Sequence, residues 1–441
     1  MKKQIIKISL YGLSAIVLLI QTSCKKNYTN VVTVPQAQAF SSPQAMTGVA
    51  VGLQRLYTAG RASSLYNRVT INGLLTNELT VLNQGNTGEY QLQFGSLPSI
   101  DGTNTLLGGL WTSSNKIIYD ANNVITNAAG LGDKGYASGL IGYATIFEAL
   151  ALGDLSMFWE KVPGSIGQNV TFIDRAQGFA KAITLIDNAL AAISANAISA
   201  GFLTNIPSGI DIINTLHALK ARYSLFTGNY TQALTEANAA SLTIKSVFNF
   251  SSVNLNPVYE THTSTNNVCG AIDLTTLGLP AALQPDPNDQ RLPFYTTNAI
   301  NSKIKGFAPL ASPTNAWPVY LPGEMTLIKA EAYARQTTPD LVNALVELNK
   351  IQTKTPASDP YGVGAGLPIL VGPFTQGQIL DQIYKHRCIE LYMAGFKLED
   401  MRRFGRPNTT GAAGSERKRN LLPYPFLERD NNTNTPPDPT F

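Results

Sequence analysis

Between residues 179 and 193 the apolar positions Phe179, Ile183, Ile186, Leu190 and Ile193 recur in alternating steps of four and three. That spacing places all five on one stripe of a helix. The same periodicity predicts a helical hairpin over 214–240. Leu216, Leu219, Tyr223 and Phe226 form a first stripe, Gly228 and Asn229 interrupt it, and Tyr230, Ala233, Leu234, Ala237 and Ala240 form a second. Another hairpin is predicted over 325–351, with Thr338 and Pro339 suited to an N-cap and first helical position, and Leu341, Leu345 and Leu348 as its stripe. Further helices are expected at 45–59, 109–128, 138–153 and 375–404.

The turn Gly228-Asn229-Tyr230 with alanines beyond it resembles a tetratricopeptide repeat, in which small residues let paired helices approach closely. Several helix pairs without a tight period predict a mainly α fold, a tetratricopeptide-like helical-repeat scaffold with a few short strands. Polar stretches rich in Asn, Thr, Gly, Ser and Pro separate the pairs at 82–108, 196–210 and 245–323, and again from 405 onward. The 245–323 stretch exceeds an ordinary connection, and loops of that length usually carry function. The "GVGAG" run at 362–366 leads into Pro368 rather than into a helix, so a dinucleotide site is not expected and a flexible loop is.

The first residues follow a different pattern. Met1, Lys2, Lys3 and Lys7 precede a mostly apolar run over 8–20 that Ser9, Gly12 and Ser14 interrupt. A basic start and a short apolar run are the marks of a secretory signal, and the run falls short of the ~20 apolar residues of a membrane-spanning helix. Thr22, Ser23 and Cys24 resemble the lipobox of bacterial lipoproteins, with Gln21 where leucine is usual. The expected arrangement is a signal over 1–23 and a lipid on Cys24; the alternative is an ordinary signal followed by an incidental cysteine.

Charge then narrows the partners. The chain carries 33 basic and 29 acidic residues, a net charge of +4, and loses Lys2, Lys3 and Lys7 with the signal, leaving +1. Nucleic-acid binding depends on clustered cations, so it is not expected. Cys269 and Cys388 are too few for a disulfide framework and are expected to be free and buried, although a single bridge would suit an oxidising compartment. His217, His262 and His386 are widely separated, so no metal site is expected, and no cofactor. No zinc-protease, nucleophile-elbow or P-loop pattern occurs. Asp273, Asp286 and Asp289 are the carboxylates that would suit a glycosidase pair, but sequence alone does not pair them.

A ligand-binding surface combines flat aromatic platforms with polar hydrogen-bonding partners, so aromatics set among polar residues are the ones to single out. Trp317 in "SPTNAWPVY", Tyr90 and Phe94 in "LNQGNTGEYQLQFG", and Tyr295 after Asp289-Gln290-Arg291 are the candidate ligand-binding aromatics. For Trp317 and Tyr90 packing is an equal alternative. Trp111 is expected in the core and Trp159 at a helix end.

Taken together, several stretches resemble the SusD/RagB family of outer-membrane nutrient-binding lipoproteins. "HRCIELYMAGFKLEDMRRFGR" (386–406) is similar to the family's Glu-Arg-x-x-Glu-Leu-x-x-Glu-Gly-x-Arg-x-x-Asp-Leu-x-Arg-x-Gly signature, matching at Arg387, Glu390, Leu391, Gly395, Asp400, Arg403 and Gly405. His386, Ala394 and Lys397 depart from it. "GLWTSSNKIIYDANNVI" (109–125), "NDQRLPFY" (288–295) and "LLPYPFLERDNNTN" (421–434) resemble further family segments in the same order. The resemblance implies one nutrient-binding domain over 24–441, with loop insertions at about 82–108 and 245–323. It gives Arg387, Glu390, Gly395, Asp400 and Arg403 a structural and not a catalytic role. The local alternative is that the charges at 386–406 form ordinary surface pairs three or four residues apart on a helix. The resemblance also implies a lipid-anchored, outward-facing outer-membrane protein that is not an enzyme. Such a protein would capture an oligosaccharide or other nutrient and pass it to a TonB-dependent, SusC-like transporter. The rival expectation is an adaptor lipoprotein whose helices bind only protein.

Overall fold

The computed structural model describes residues 36–95, 100–262, 268–273, 275–295, 312–407 and 416–439. Cys24 and the expected signal lie outside the described residues.

Helices α1 (Pro43–Thr58), α2 (Ser64–Leu75), α3 (Thr87–Phe94), α4 (Thr105–Ala128), α5 (Lys134–Phe158) and α6 (Arg175–Ala195) build the first half. Side-chain oxygens start most of them: Ser42, Ser63, Asn104 and Asp133 each accept backbone N–H groups that the first helical turn leaves unpaired. α5 is apolar on nearly every side, and it is buried from Tyr136 to Leu140 and from Gly142 to Phe158 between α4, α6 and its other neighbours.

The second half is formed by α7 (Ile212–Phe226), α8 (Tyr230–Ala239), α9 (Pro322–Arg335), α10 (Leu341–Thr353), α11 (Gln376–Glu390) and α12 (Lys397–Arg403), followed by the short α13 (Phe426–Asn431). Both predicted hairpins are present. In the first, Ala218, Ala221, Ala233, Ala237 and Ala240 bring α7 and α8 together and against Met325 and Ile328 of α9. In the second, Asp340 caps α10 by accepting the Asn343 N–H at 3.0 Å, so the N-cap lies two residues beyond the expected Thr338.

Three elements differ from expectation. Helix α2 has no exposed face: all twelve residues are buried, polar ones such as Asn67, Arg68 and Asn72 included, so it shows no apolar stripe in the sequence. The helix expected over 375–404 is two helices, α11 and α12, separated by a turn in which Met393 and Gly395 have φ of 62° and 84°. A side chain at Gly395 would be strained there and would meet the Arg68 side chain at 3.0 Å. The 362–366 run is packed rather than loose: Val363 and Ala365 are buried, and the Ala365 carbonyl accepts the Gln290 N–H at 2.9 Å.

Short strands tie the polar segments to the scaffold. β1 (Leu79–Val81) pairs antiparallel with β5 (Cys269–Ala271), β2 (Lys161–Pro163) with β3 (Phe172–Asp174), and β4 (Val247–Phe248) with β6 (Trp317–Pro318). Cys269 and Cys388 are free and buried.

Candidate ligand-binding site

The 386–406 charges are not surface pairs. Arg387 binds Asp400 through two hydrogen bonds of 2.9 and 3.0 Å, and Arg403 bonds Asp400 at 2.6 Å and reaches Glu331 on α9. All four residues except Arg403 are almost fully buried. Burial alone would raise the Asp400 carboxyl, but Arg387 and Arg403 outweigh it and hold it below the ordinary carboxylate value.

Glu390 accepts from Arg291 at 3.1 Å and from Lys354 at 2.6 Å; Lys354 also reaches Asp359, and Arg291 is clamped by Asp289 at 2.7 Å. Asp289 is thus committed to an ion pair. His386 stands in this network as a neutral acceptor, its Nδ1 3.0 Å from the Arg291 guanidinium, because burial and the Arg291 charge push its pKa well below the ordinary value. Gly323 on α9 makes room for the network, since a Cβ there would lie 1.8 Å from the Glu390 carboxylate.

This charged layer supports an aromatic recess. Its lining includes Phe294, Tyr295, Trp317, Tyr320, Tyr392 and Phe396, with Arg68 and Glu324 deeper. The space inside is about 690 Å³, part of it open solvent. Each wall is held from behind. Tyr295 donates its hydroxyl to the Glu390 carbonyl, Tyr320 donates to the Ser241 carbonyl at 3.0 Å, and Tyr392 donates to the Glu78 carbonyl at 3.2 Å. Tyr295 meets Phe294 and Tyr392 edge-on at 4.9 and 5.7 Å between ring centroids.

Below them Phe396 lies between two guanidiniums, Arg222 at 4.3 Å and Arg68 at 5.2 Å from the ring centroid. Arg222 binds Glu324 through two hydrogen bonds of 2.5 and 2.7 Å. Arg68 stands 3.6 Å from Asp154, whose pKa burial lifts to about 6 against the opposing charge of Arg68. Nε of Arg68 and Nη1 of Arg222 have no hydrogen-bond partner. The floor therefore pairs its charges and seals these two nitrogens away from solvent.

Of the four candidate aromatics, Trp317 and Tyr295 line this recess together, although they are 8% and 5% exposed and belong to β6 and to the helical turn Arg291–Tyr295 rather than to open loops. Tyr90 and Phe94 lie elsewhere, on α3, where their rings meet edge-on at 4.9 Å and Phe94 is half exposed. Phe294, Tyr320, Tyr392 and Phe396 were not singled out from sequence; the clusters "LPFY" and "WPVY" were the available signal. Trp111 and Trp159 are buried, and their indole N–H groups bond Glu428 and the Pro423 carbonyl, each at 2.9 Å. Among the described residues no cluster of three or more His, Cys, Asp or Glu is placed to hold a metal ion.

No family model matches the chain, and no curated protein is similar to it in sequence. Its shape is informative. A SusD superfamily protein from Bacteroides thetaiotaomicron superposes with a TM-score of 0.70 over 90% of this chain and 100% of that one, at 17% identity. The fold is SusD-like. A SusD superfamily protein from Bacteroides fragilis gives a TM-score of 0.67 over 90% and 99% of the two chains at 14% identity. A laminarin-binding SusD-like protein gives 0.58 over 91% and 99% at 13% identity. In this SusD-like chain the resembling segments meet in space: Asp289 and Arg291 join His386 and Glu390, and Trp111 joins Glu428.

Proposed function

We propose that this protein captures a glycan or glycan fragment in the aromatic recess while anchored to the outer membrane through a lipid on Cys24, and delivers it to a TonB-dependent, SusC-like transporter. The observation that carries the reading is the juxtaposition of Trp317 and Tyr295 over a charge-paired floor. Flat apolar walls suit the C–H faces of a sugar ring. The SusD-like fold supports it, as does the printed description of one structural neighbour as laminarin-binding. The role asks for binding and release only, with energy supplied by the transporter, so no catalytic residue is assigned. The body faces the cell exterior, where large nutrients are met before the pore.

A glycan array followed by calorimetry on the best hit tests this. Trp317→Leu is expected to weaken binding roughly tenfold or more while the protein remains folded. Absence of saturable sugar binding, with helical-repeat partners recovered instead, would favour a protein-binding adaptor and overturn capture.

A further inference from the structure

A second cavity lies between α4, α5, α6, the loop joining β2 to β3, and α13. It shares no lining residue with the recess. One wall is apolar: the Tyr119 ring and Ile166 are 43% and 41% exposed, an arrangement that gives a flat ring and an aliphatic face open to solvent.

The remaining lining is polar and held in place. Glu428 is fixed by Trp111 Nε1–H and by the Asn432 amide, each at 2.9 Å. One donor per oxygen leaves each oxygen a further lone pair. Lys181 reaches the Gly164 carbonyl at 3.3 Å, which leaves ammonium protons to donate. Asn115 spends an amide proton on the Trp111 carbonyl, and its carbonyl oxygen remains an acceptor. The loop itself is strapped down: Asn432 and Asn434 donate to the carbonyls of Val170 and Asn169 at 3.1 and 2.7 Å.

One helical turn from the lining residue Leu152, on the same face of α5, lies Glu148. It is 1% exposed, its Oε2 has no hydrogen-bond partner, and the Lys181 charge acts on it. The Gly164 carbonyl holds Lys181 beside the cavity, which makes it a positioned donor rather than a free surface lysine.

We infer that this cavity is a second saccharide site, which takes one neutral pyranose ring with its C–H face on Tyr119 and Ile166 and its hydroxyls on Lys181, Glu428 and Asn115. Neutral rings fit because the one lining cation and the one lining carboxylate offset each other, while Lys181, Asn115 and Glu428 together offer both donors and acceptors to hydroxyls. The inference rests on the reading of the chain as a glycan binder, and it makes that binder bivalent. Two ring sites on one body raise the residence of a long chain above that of either site alone.

The test is a titration of the purified full chain with laminaritriose as a neutral saccharide probe, read by calorimetry and by fluorine NMR of 3-fluorotyrosine-labelled protein, with the Tyr119 resonance assigned through Tyr119→Phe. The Tyr119 resonance is expected to shift saturably both in the parent and in Trp317→Leu, and Lys181→Met is expected to weaken that shift roughly tenfold. A silent Tyr119 resonance beside heat that Trp317→Leu abolishes would overturn the second site and leave the recess standing. No heat and no shift in any variant would overturn both.

Discussion

Arg387 and Asp400 face each other thirteen residues apart as a buried, doubly hydrogen-bonded pair across the turn between α11 and α12. Asp400 keeps a second partner in Arg403, whereas Arg387 has Asp400 alone, so removing the carboxylate leaves the Arg387 charge buried and uncompensated. Asp400→Ala is expected to destabilise the fold by about 3 to 5 kcal/mol, as measured by chemical denaturation. A loss within the range of an exposed helix pair, ~0.5 kcal/mol or less, would show that the site admits water.

The α7–α8 hairpin tests the packing at small residues. Ala233 is fully buried among Ala218, Ala221 and Ala237. Ala233→Trp forces the helices apart and is expected to cost about 1 to 3 kcal/mol. An unchanged melting temperature would mean that this face opens freely.

Glu148 gives the protein a pH dependence of known sign. Burial raises its pKa from 4.5 to about 7, with Lys181 opposing. The folded state therefore holds the proton more tightly than the unfolded chain, and stability from this group is present below 4.5 and lost as pH rises through 7. Glu148→Gln is expected to be more stable than the parent at pH 8 by about 2 kcal/mol, with the advantage shrinking as pH falls toward 4.5. Thermal melts of both proteins across that window check it; an advantage independent of pH would remove titration as the cause.

At the other end of the chain, Cys24→Ala is expected to abolish lipidation and leave the protein soluble in the periplasm. Fractionation with mass spectrometry of the mature N-terminus measures it. Mutant protein that stays in the membrane fraction with lipid attached would refute the anchor.

Legibility from sequence followed exposure in part. Helices with one wet face, such as α6, α8 and α10, announced themselves through their period, and the buried α5 was foreseen as well, whereas α2 packs on all sides with Asn67, Arg68 and Asn72 turned inward among its apolar residues. The same physics acted on the site. Trp317 and Tyr295 were singled out as aromatics among polar residues, but Tyr392 and Phe396 sit inside the 386–406 stretch, where the charges dominate the pattern. Partners of the charges were the hardest to foresee. Near neighbours such as Arg387 and Glu390 lie in reach by spacing, yet each is claimed by a distant group, Asp400 for one and Arg291 with Lys354 for the other. Only the fold brings those together.

The bonds from Trp111 and Trp159 to Glu428 and Pro423 span 317 and 264 residues. The Leu75 and Leu74 carbonyls of α2 likewise accept the Lys418 backbone N–H and ammonium, each at 3.0 Å. The first helices thus complete their packing only when the last residues arrive. Such long-range closure slows folding, because wide loops must close before those contacts reward it. Hairpins of sequence neighbours such as α7–α8 can form before that closure, whereas the layer that holds Trp111 and Trp159 cannot.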